Sequence, residues 1–131
     1  MTRKEIVFVP GISESLVRHK VPFSAAVRAN GFVFVSGMPP MDPATGDLLQ
    51  GDIRTQTAAA LDAVRHCLEA AGSSLAKVVS TRIYCVNAAW FPAINEVYAR
   101  YFPADPPTRT FVTVGSWPLP FDVEVEAVAL E

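Results

Sequence analysis

The sequence predicts a single α+β domain with about six strands and two helices. Three observations lead to this fold class. Residues 106–114 and 121–130 alternate between apolar and polar side chains with period two, which is typical of half-buried strands. An Asn-Gly pair at 30–31 separates two further apolar runs, and two other stretches repeat apolar residues at helical spacing. The 131 residues form one domain, 1–131, with no linker or internal repeat to divide it.

The amino-terminal part is predicted to be mainly strand. Residues 6–9 are expected to form a short first strand, and 23–29 and 32–36 a hairpin. The turn falls at residues 30–31, because Asn-Gly adopts the positive φ angles of a tight two-residue turn. Residues 38–51 are rich in Pro, Asp and Gly and are predicted to be a loop.

Two helices are predicted in the middle of the chain. Asp52 is suited to cap the first one, which should run to about Ala71 and end at Gly72. The second helix is expected to start at residue 89 or 90 and to reach about residue 102. Pro92 would then lie in its first turn, where a missing backbone N–H is tolerated.

Three strands complete the prediction, and the last two bring charged residues together. Residues 78–86 form the first of them, and residues 115–120 are expected to close a hairpin between the last two. Joining the apolar faces of that hairpin would place Arg109 on the same side as Glu124 and Glu126. A guanidinium group beside two carboxylates is a surface able to hold an anionic substrate and accept a proton.

Two helices can cover only one face of a six-stranded sheet. The strand at residues 32–36 begins Phe-Val-Phe-Val and is therefore apolar on both faces. Its second face would be left in water in a monomer. We therefore expect a symmetric oligomer in which sheets pack on sheets.

Composition and charge exclude several classes of protein. Half of the residues are hydrophobic and the formal net charge is −2, which argues against non-specific nucleic-acid binding. The apolar runs are too short to span a membrane, and the first residues lack a signal-peptide core, so a cytoplasmic location is expected. Cys67, Cys85, His19 and His66 have no metal-ligand spacing, so no metal is expected.

Short motifs follow one another at a characteristic spacing over residues 20–130. They are PFSAAV at 22–27, VFVSG at 33–37, DPATG at 42–46, QT at 56–57, AAGSSL at 70–75, NEVY at 95–98, PTRT at 107–110 and VEVEA at 123–127. Together they resemble the RidA/YjgF family of reactive-intermediate deaminases, whose older name is the endoribonuclease L-PSP family.

The resemblance implies a fold, an assembly and a reaction. The fold would be chorismate-mutase-like, with both helices on one face of a mixed sheet. Three copies would form a homotrimer whose sheets enclose a central barrel, with active sites between subunits. The reaction would hydrolyse enamines and imines to 2-oxo acids and ammonia, with no metal or organic cofactor. The partner would be a small imino or 2-oxo acid, with no nucleic acid or membrane involved.

By this resemblance Arg109 binds the substrate carboxylate and Glu124 positions the attacking water. A guanidinium group suits the first role because its planar donors engage both carboxylate oxygens and its charge does not titrate. A carboxylate suits the second role because it can accept a proton from the water and return it to the departing amine. The residues alone leave alternatives open. Arg109 would pair with Glu126 across the hairpin, and Glu124 would be a solvated or ion-paired strand residue.

Five further residues are candidates for binding the substrate. The resemblance places them in the pocket: Phe23, Ser36, Gly37, Asn95 and Phe111. Gly37 would bind the carboxylate through its backbone N–H; the alternative is a glycine needed only for the turn, and the two are not exclusive. Asn95 could instead cap a helix or bridge an interface.

Three positions depart from the family pattern. Phe23 stands where many members have tyrosine, Met38 where glutamine is common, and Phe111 where bacterial members often have cysteine. Each change makes the pocket more apolar, so we expect bulkier imines or catabolic enamines rather than 2-aminoacrylate. Two other functions remain open: a non-catalytic carboxylate-binding or chaperone-like trimer, and an endoribonuclease, which the scattered basic residues disfavour.

Overall fold

The computed structural model describes residues 3–131, which form one six-stranded mixed sheet and three α-helices. The strands are β1 (Glu5–Val7), β2 (Ala26–Ala29), β3 (Phe32–Met38), β4 (Val78–Cys85), β5 (Thr108–Thr113) and β6 (Val123–Leu130). The helices are α1 (Ile12–Arg18), α2 (Ile53–Ala70) and α3 (Phe91–Tyr101). The order across the sheet is β1-β2-β3-β6-β4-β5, and all neighbours are antiparallel except β4 and β5.

Most of the predicted elements are confirmed, because local signals specify them. The Asp52 side chain accepts a hydrogen bond from the backbone N–H of Thr55 at 2.8 Å and caps α2. Gly72 follows α2 with a φ of +82°, the left-handed conformation that ends many helices. Asn30 and Gly31 both have positive φ in the β2–β3 turn.

The prediction of two helices is wrong, because it missed α1. At its amino-terminal end the backbone N–H of Gly11 donates a hydrogen bond to Glu14 Oε1 at 2.9 Å. Ile12 is buried and Leu16 packs against the core one turn later. A glutamate three residues after a capping position was the available signal. Seven residues are too few for apolar periodicity to stand out.

One face of the sheet carries the core and the other is open. On the covered face, α2 packs on β3 and β6, and the sheet residues Val33, Ile83 and Val125 are fully buried. On the other face Phe34 is 45% exposed and Ile6 is 59% exposed. The uncovered apolar face predicted from the sequence is therefore present in the single chain. The trimer and its barrel stay predictions.

The predicted hairpin through residues 115–120 is wrong. β6 lies between β3 and β4, whereas β5 is an edge strand that pairs in parallel with β4. Every second residue of β6 is buried, as expected for a strand flanked on both sides, while β5 is mostly exposed or half-buried. The more apolar strand therefore takes the interior position.

None of the helices formed within residues 3–131 combines the length and the apolar character needed to cross a bilayer.

Candidate active site

Arg109 and Glu124 lie on opposite faces of the sheet. Arg109 is in register with Thr81 of β4, which in turn is opposite Ala127 of β6. Residues directly opposite each other project to the same face, so Arg109 faces the helices. Glu124 and Glu126 occupy the alternate positions of β6 and project to the open face. The prediction that Arg109 shares a side with both glutamates is wrong, because it depended on the hairpin.

The Arg109 guanidinium group is held by two aromatic rings. Its Cζ atom lies 4.9 Å from the ring centroid of Tyr98 and 5.4 Å from that of Phe91, both on α3. This arrangement is a cation–π contact, which orients the group without neutralising its charge. No ion pair or side-chain hydrogen bond among residues 3–131 engages the guanidinium group. Its planar donors therefore remain available to an anion.

Asn95 lies on the same helical face as the two rings. It follows Phe91 by four residues and precedes Tyr98 by three, the spacings that bring side chains together on a helix. Its Oδ1 atom is buried and has no hydrogen-bond partner within residues 3–131. A buried oxygen without a donor costs about 1–3 kcal/mol, so this position favours a group that brings a donor.

Phe111 packs against one of the two rings that contact Arg109. It follows Arg109 by two residues on β5, so it faces the helices as well, and it packs against the core. Its ring meets that of Phe91 edge-on at a centroid distance of 5.0 Å. We refer to Phe91, Asn95, Tyr98, Arg109 and Phe111 as the arginine cluster.

Glu124 lies in the wall of a cavity of about 450 Å³. The side chain is packed tightly over Gly37: a Cβ atom at residue 37 would lie 2.7 Å from Glu124 Cδ. A side chain at residue 37 would therefore have to displace the Glu124 carboxyl group from its place in the cavity wall. We refer to this space, walled by Glu124 and Gly37, as the glutamate cavity.

Burial raises the pKa of Glu124 above its ordinary value, and the neighbouring Glu126 carboxylate raises it further. Both effects disfavour the charged form of the carboxyl group. A carboxylate with a raised pKa is a stronger base than an ordinary one, so Glu124 is better suited than an ordinary glutamate to accept and return a proton.

Glu126 is engaged within the sheet. The Tyr84 hydroxyl donates to Glu126 Oε1, and Arg82 Nη1 lies 3.4 Å from the same atom. Glu126 is therefore a structural partner of Arg82 and Tyr84. The alternative that Arg109 pairs with Glu126 is wrong, because the two residues face opposite sides of the sheet.

Phe23 and Gly37 both line the glutamate cavity, together with Met38. Ser36 lies beside Gly37, but its hydroxyl donates to the carbonyl of Ser24 at 2.7 Å and so helps to hold the entry to β2. The structure therefore gathers the candidates into two groups. Phe23, Gly37 and Glu124 belong to the cavity, and Asn95, Arg109 and Phe111 to the arginine cluster.

Sequence reasoning missed much of the cavity wall. The missed residues come from α1 and two loops: Leu16, His19, Leu48, Trp117 and Leu119. The residues from α1 were missed because the helix itself was not predicted. Large apolar side chains at 117 and 119, in a segment rich in Gly and Pro, were the signal that could have indicated the loop contribution.

Residues 14–131 match the sequence model of the family described as endoribonuclease L-PSP. The chain belongs to this family, the RidA/YjgF family. Relatives of known structure share the fold. The fold differs from the expected one in having three α-helices instead of two within residues 3–131. The family assignment made from the motifs is thereby confirmed.

Individual relatives cover almost the whole chain. It is 36% identical over 126 residues to the 3-aminoacrylate deaminase RutC of Acinetobacter baylyi, covering 96% of this chain and 97% of that protein. It is 37% identical over 108 residues to the chloroplastic Reactive Intermediate Deaminase A of Arabidopsis thaliana, covering 82% and 58%. The crystal structure of the Rid-family protein YyfA from Yersinia pestis superposes with a TM-score of 0.88 at 32% identity, covering 98% and 100%.

Proposed function

We propose that the protein hydrolyses imines and enamines derived from amino acids, releasing a 2-oxo acid and ammonia. The observation that carries this proposal is the unengaged Arg109 guanidinium group, held against two rings of α3, the helix that also carries the unpartnered Asn95 oxygen. An imino acid offers the matching groups, a carboxylate for the first and an N–H donor for the second. The deaminase names of two relatives agree with this reaction.

The proposed site is formed by two copies of the chain. Within one chain, Arg109 and Glu124 project to opposite faces and β4 separates their strands. A small substrate cannot contact both. The exposed apolar face around Phe34 and Ile6 is a surface on which further copies would pack. We therefore propose a homotrimer in which Arg109 of one copy meets Glu124 of the next, with the sheets around a central barrel.

In this site Glu124 accepts a proton from a water molecule as the water oxygen attacks the carbon of the protonated imine. The C=N bond opens to a tetrahedral carbinolamine, C(OH)NH2. Glu124 then returns the proton to the nitrogen; as the C–N bond breaks and ammonia leaves, the hydroxyl proton passes to Glu124 and the carbonyl forms. Arg109 holds the substrate carboxylate throughout, with the Gly37 backbone N–H as a second donor. The reaction consumes one water and needs no metal or cofactor, and a cytoplasmic location stays a prediction.

A mixing experiment tests both the reaction and the shared site. Arg109→Ala and Glu124→Gln are purified separately and each is assayed for ammonia release from an imine generated by an amino-acid oxidase. Both are expected to be inactive. Unfolding and reassembling the two together should restore part of the activity, because some sites then combine an intact Arg109 with an intact Glu124. Arg100→Ala, an exposed arginine on α3, is the control and should keep full activity.

Restored activity in the mixture supports sites between copies. A mixture that stays inactive, although sedimentation shows mixed oligomers, would contradict the shared site. Full activity of Arg109→Ala alone would contradict the reaction itself.

Carboxylate binding without turnover is the second candidate function. It is favoured by Phe23, whose ring lies in the cavity wall where a tyrosine would bring a hydroxyl group. In that case the wild-type protein would bind a 2-oxo acid in calorimetry, and Arg109→Ala would bind it more weakly. Neither protein would accelerate imine hydrolysis.

A further inference from the structure

A cluster of charged and hydroxyl groups lies beside Glu124 on the open face of the sheet. Glu126 follows Glu124 by two residues on β6, so both side chains project to this face, about 7 Å apart along the strand. On the neighbouring strand β4, Tyr84 is opposite Glu124 and Arg82 is opposite Glu126. We refer to Arg82, Tyr84 and Glu126 as the Glu126 network. None of the three lines the glutamate cavity, whereas Glu124 does.

The network holds the Glu126 carboxylate in one place. The Tyr84 hydroxyl donates to Glu126 Oε1 although Tyr84 is opposite Glu124, so its side chain reaches diagonally across the two strands. Arg82 Nη1 lies 3.4 Å from the same oxygen. Hydrogen bonds to a charged acceptor are stronger than those between neutral groups, so two donors fix this oxygen well. Glu126 therefore presents a negative charge at a defined position near Glu124.

Two charges of opposite sign in the network act on Glu124. Burial is the main cause of the raised Glu124 pKa, and the Glu126 carboxylate adds to it. Arg82 is diagonal to Glu124 in the strand pairing, and its positive charge partly offsets that of Glu126. Because the open face would be covered in the proposed homotrimer, water would screen both charges less there than in the single chain.

Titratable groups from other parts of the chain also surround Glu124. The cavity wall adds His19 from α1 and Asp47 from the loop after β3. Asp122 precedes Glu124 by two residues, and its Oδ2 atom accepts a hydrogen bond from Gln56 at 2.8 Å. Strand β3 contributes no charged side chain. In the proposed homotrimer Arg109 of the next copy would be a further charge. Changes within the Glu126 network leave all of these groups in place.

We infer that Glu126 is a positioning residue of the reaction: held by Tyr84 and Arg82, its carboxylate sets how strongly Glu124 attracts the proton of the attacking water. This inference rests on the proposed deaminase function. Glu126 itself exchanges no proton with the substrate. Without its charge, Glu124 would ionise at lower pH but would be a weaker base. The reaction would then extend to lower pH at a lower maximal rate.

Two substitutions test the inference in opposite directions. In Glu126→Gln the amide oxygen can still accept from Tyr84, so the charge is lost while the anchor remains. The acid limb of the kcat/KM profile should move down by about 0.5 pH unit, the size expected for two charges about 7 Å apart in water. Arg82→Gln removes the offsetting charge and should move the limb up by a smaller amount. The titration of the imine itself cancels, because every protein is assayed on the same substrate.

Matched controls remove the same charges elsewhere. Glu69→Gln and Arg65→Gln change exposed residues of α2, on the other side of the sheet, and should leave the limb where it is. A carbon-13 NMR titration of the Glu124 carboxyl group, assigned by its loss in Glu124→Gln, measures the same shifts without turnover. Arg82 is 58% exposed, so Arg82→Gln decides the question by its sign should Glu126→Gln fail to fold.

Shifts of opposite sign in the two variants support the inference. A limb and a Glu124 titration that match wild type in both variants overturn it, as does a uniform loss of activity without a shift, while the deaminase function stands. Failure of the wild-type protein to accelerate any imine contradicts the proposed function instead. The NMR titration then still decides whether Glu126 sets the proton affinity of Glu124.

Discussion

The arginine cluster and the glutamate cavity are built in opposite ways. Arg109 is on an edge strand and is steadied by the faces of Tyr98 and Phe91, which leave its charge unneutralised. Glu124 is on an interior strand and is packed over Gly37, so that a side chain at residue 37 would have to displace the Glu124 carboxyl group. The cation is oriented at little cost, whereas the carboxylate is partly desolvated. One sheet thus places the guanidinium group and the carboxyl group of the proposed site on opposite faces, so the two cannot meet within one chain.

The largest expected effect concerns the arginine cluster. Arg109→Ala removes the charged partner of the substrate carboxylate, a change that typically costs about 2–5 kcal/mol, so kcat/KM should fall by at least about 30-fold. Arg109→Lys keeps the charge but not the planar pair of donors and should recover only part of the loss. Steady-state ammonia release measures both. Equal activity of the lysine and wild-type proteins would show that paired donors are unnecessary.

The next effect concerns the packing of the glutamate cavity. Gly37→Ala forces a Cβ atom against the Glu124 carboxyl group and should cost about 1–3 kcal/mol of unfolding free energy, together with activity. Adding Glu124→Ala should restore the stability but not the activity. Gly115→Ala is the matched control, because no atom lies within 4 Å of the added Cβ. Urea unfolding measures all three, and a stable Gly37→Ala single variant would contradict the packing argument.

A smaller effect tests whether the Tyr98 ring orients the Arg109 guanidinium group. Tyr98 and Thr81 hydroxyls share a buried hydrogen bond of 2.7 Å, which steadies the ring beneath Arg109. Tyr98→Phe keeps the ring and should cost about 1 kcal/mol of unfolding free energy with little change in KM. Tyr98→Leu removes the ring and should also raise KM several-fold, as expected for a cation–π contact of about 0.5–1 kcal/mol. Equal KM values in the two variants would show that the ring does not orient Arg109.

The smallest effect is the pH dependence of stability that Glu124 introduces. Its pKa is raised in the folded state, so between the ordinary pKa and the raised one the folded protein binds more protons than the unfolded chain. The unfolding free energy therefore falls as pH rises through that window. Glu124→Gln lacks this fall and should gain stability relative to wild type above the window, by less than about 1 kcal/mol because water screens a half-buried group. Urea unfolding from pH 4 to 8 tests this, and parallel curves would contradict it.

The local structure of this protein is determined by its sequence. Asp52 and Gly72 bound α2 because a side-chain oxygen caps the first turn and a residue without Cβ adopts the left-handed angle at the end. The turn at 30–31 forms because Asn30 and Gly31 both adopt positive φ angles. These signals act within a few residues, so they can be recognised without knowing what packs nearby.

Only the tertiary structure decided which strands are neighbours, and with them the two halves of the site. Nothing near residues 115–120 reveals that β6 passes beyond β4 to pair with β3. An interior position between β3 and β4 buries the apolar face of β6 against the core. The free energy gained by this burial depends on the whole sheet. Since side chains alternate across a strand, the same choice placed Arg109 on the face opposite Glu124. The motifs indicate the candidate residues, and long-range packing determines which of them lie on the same face of the sheet.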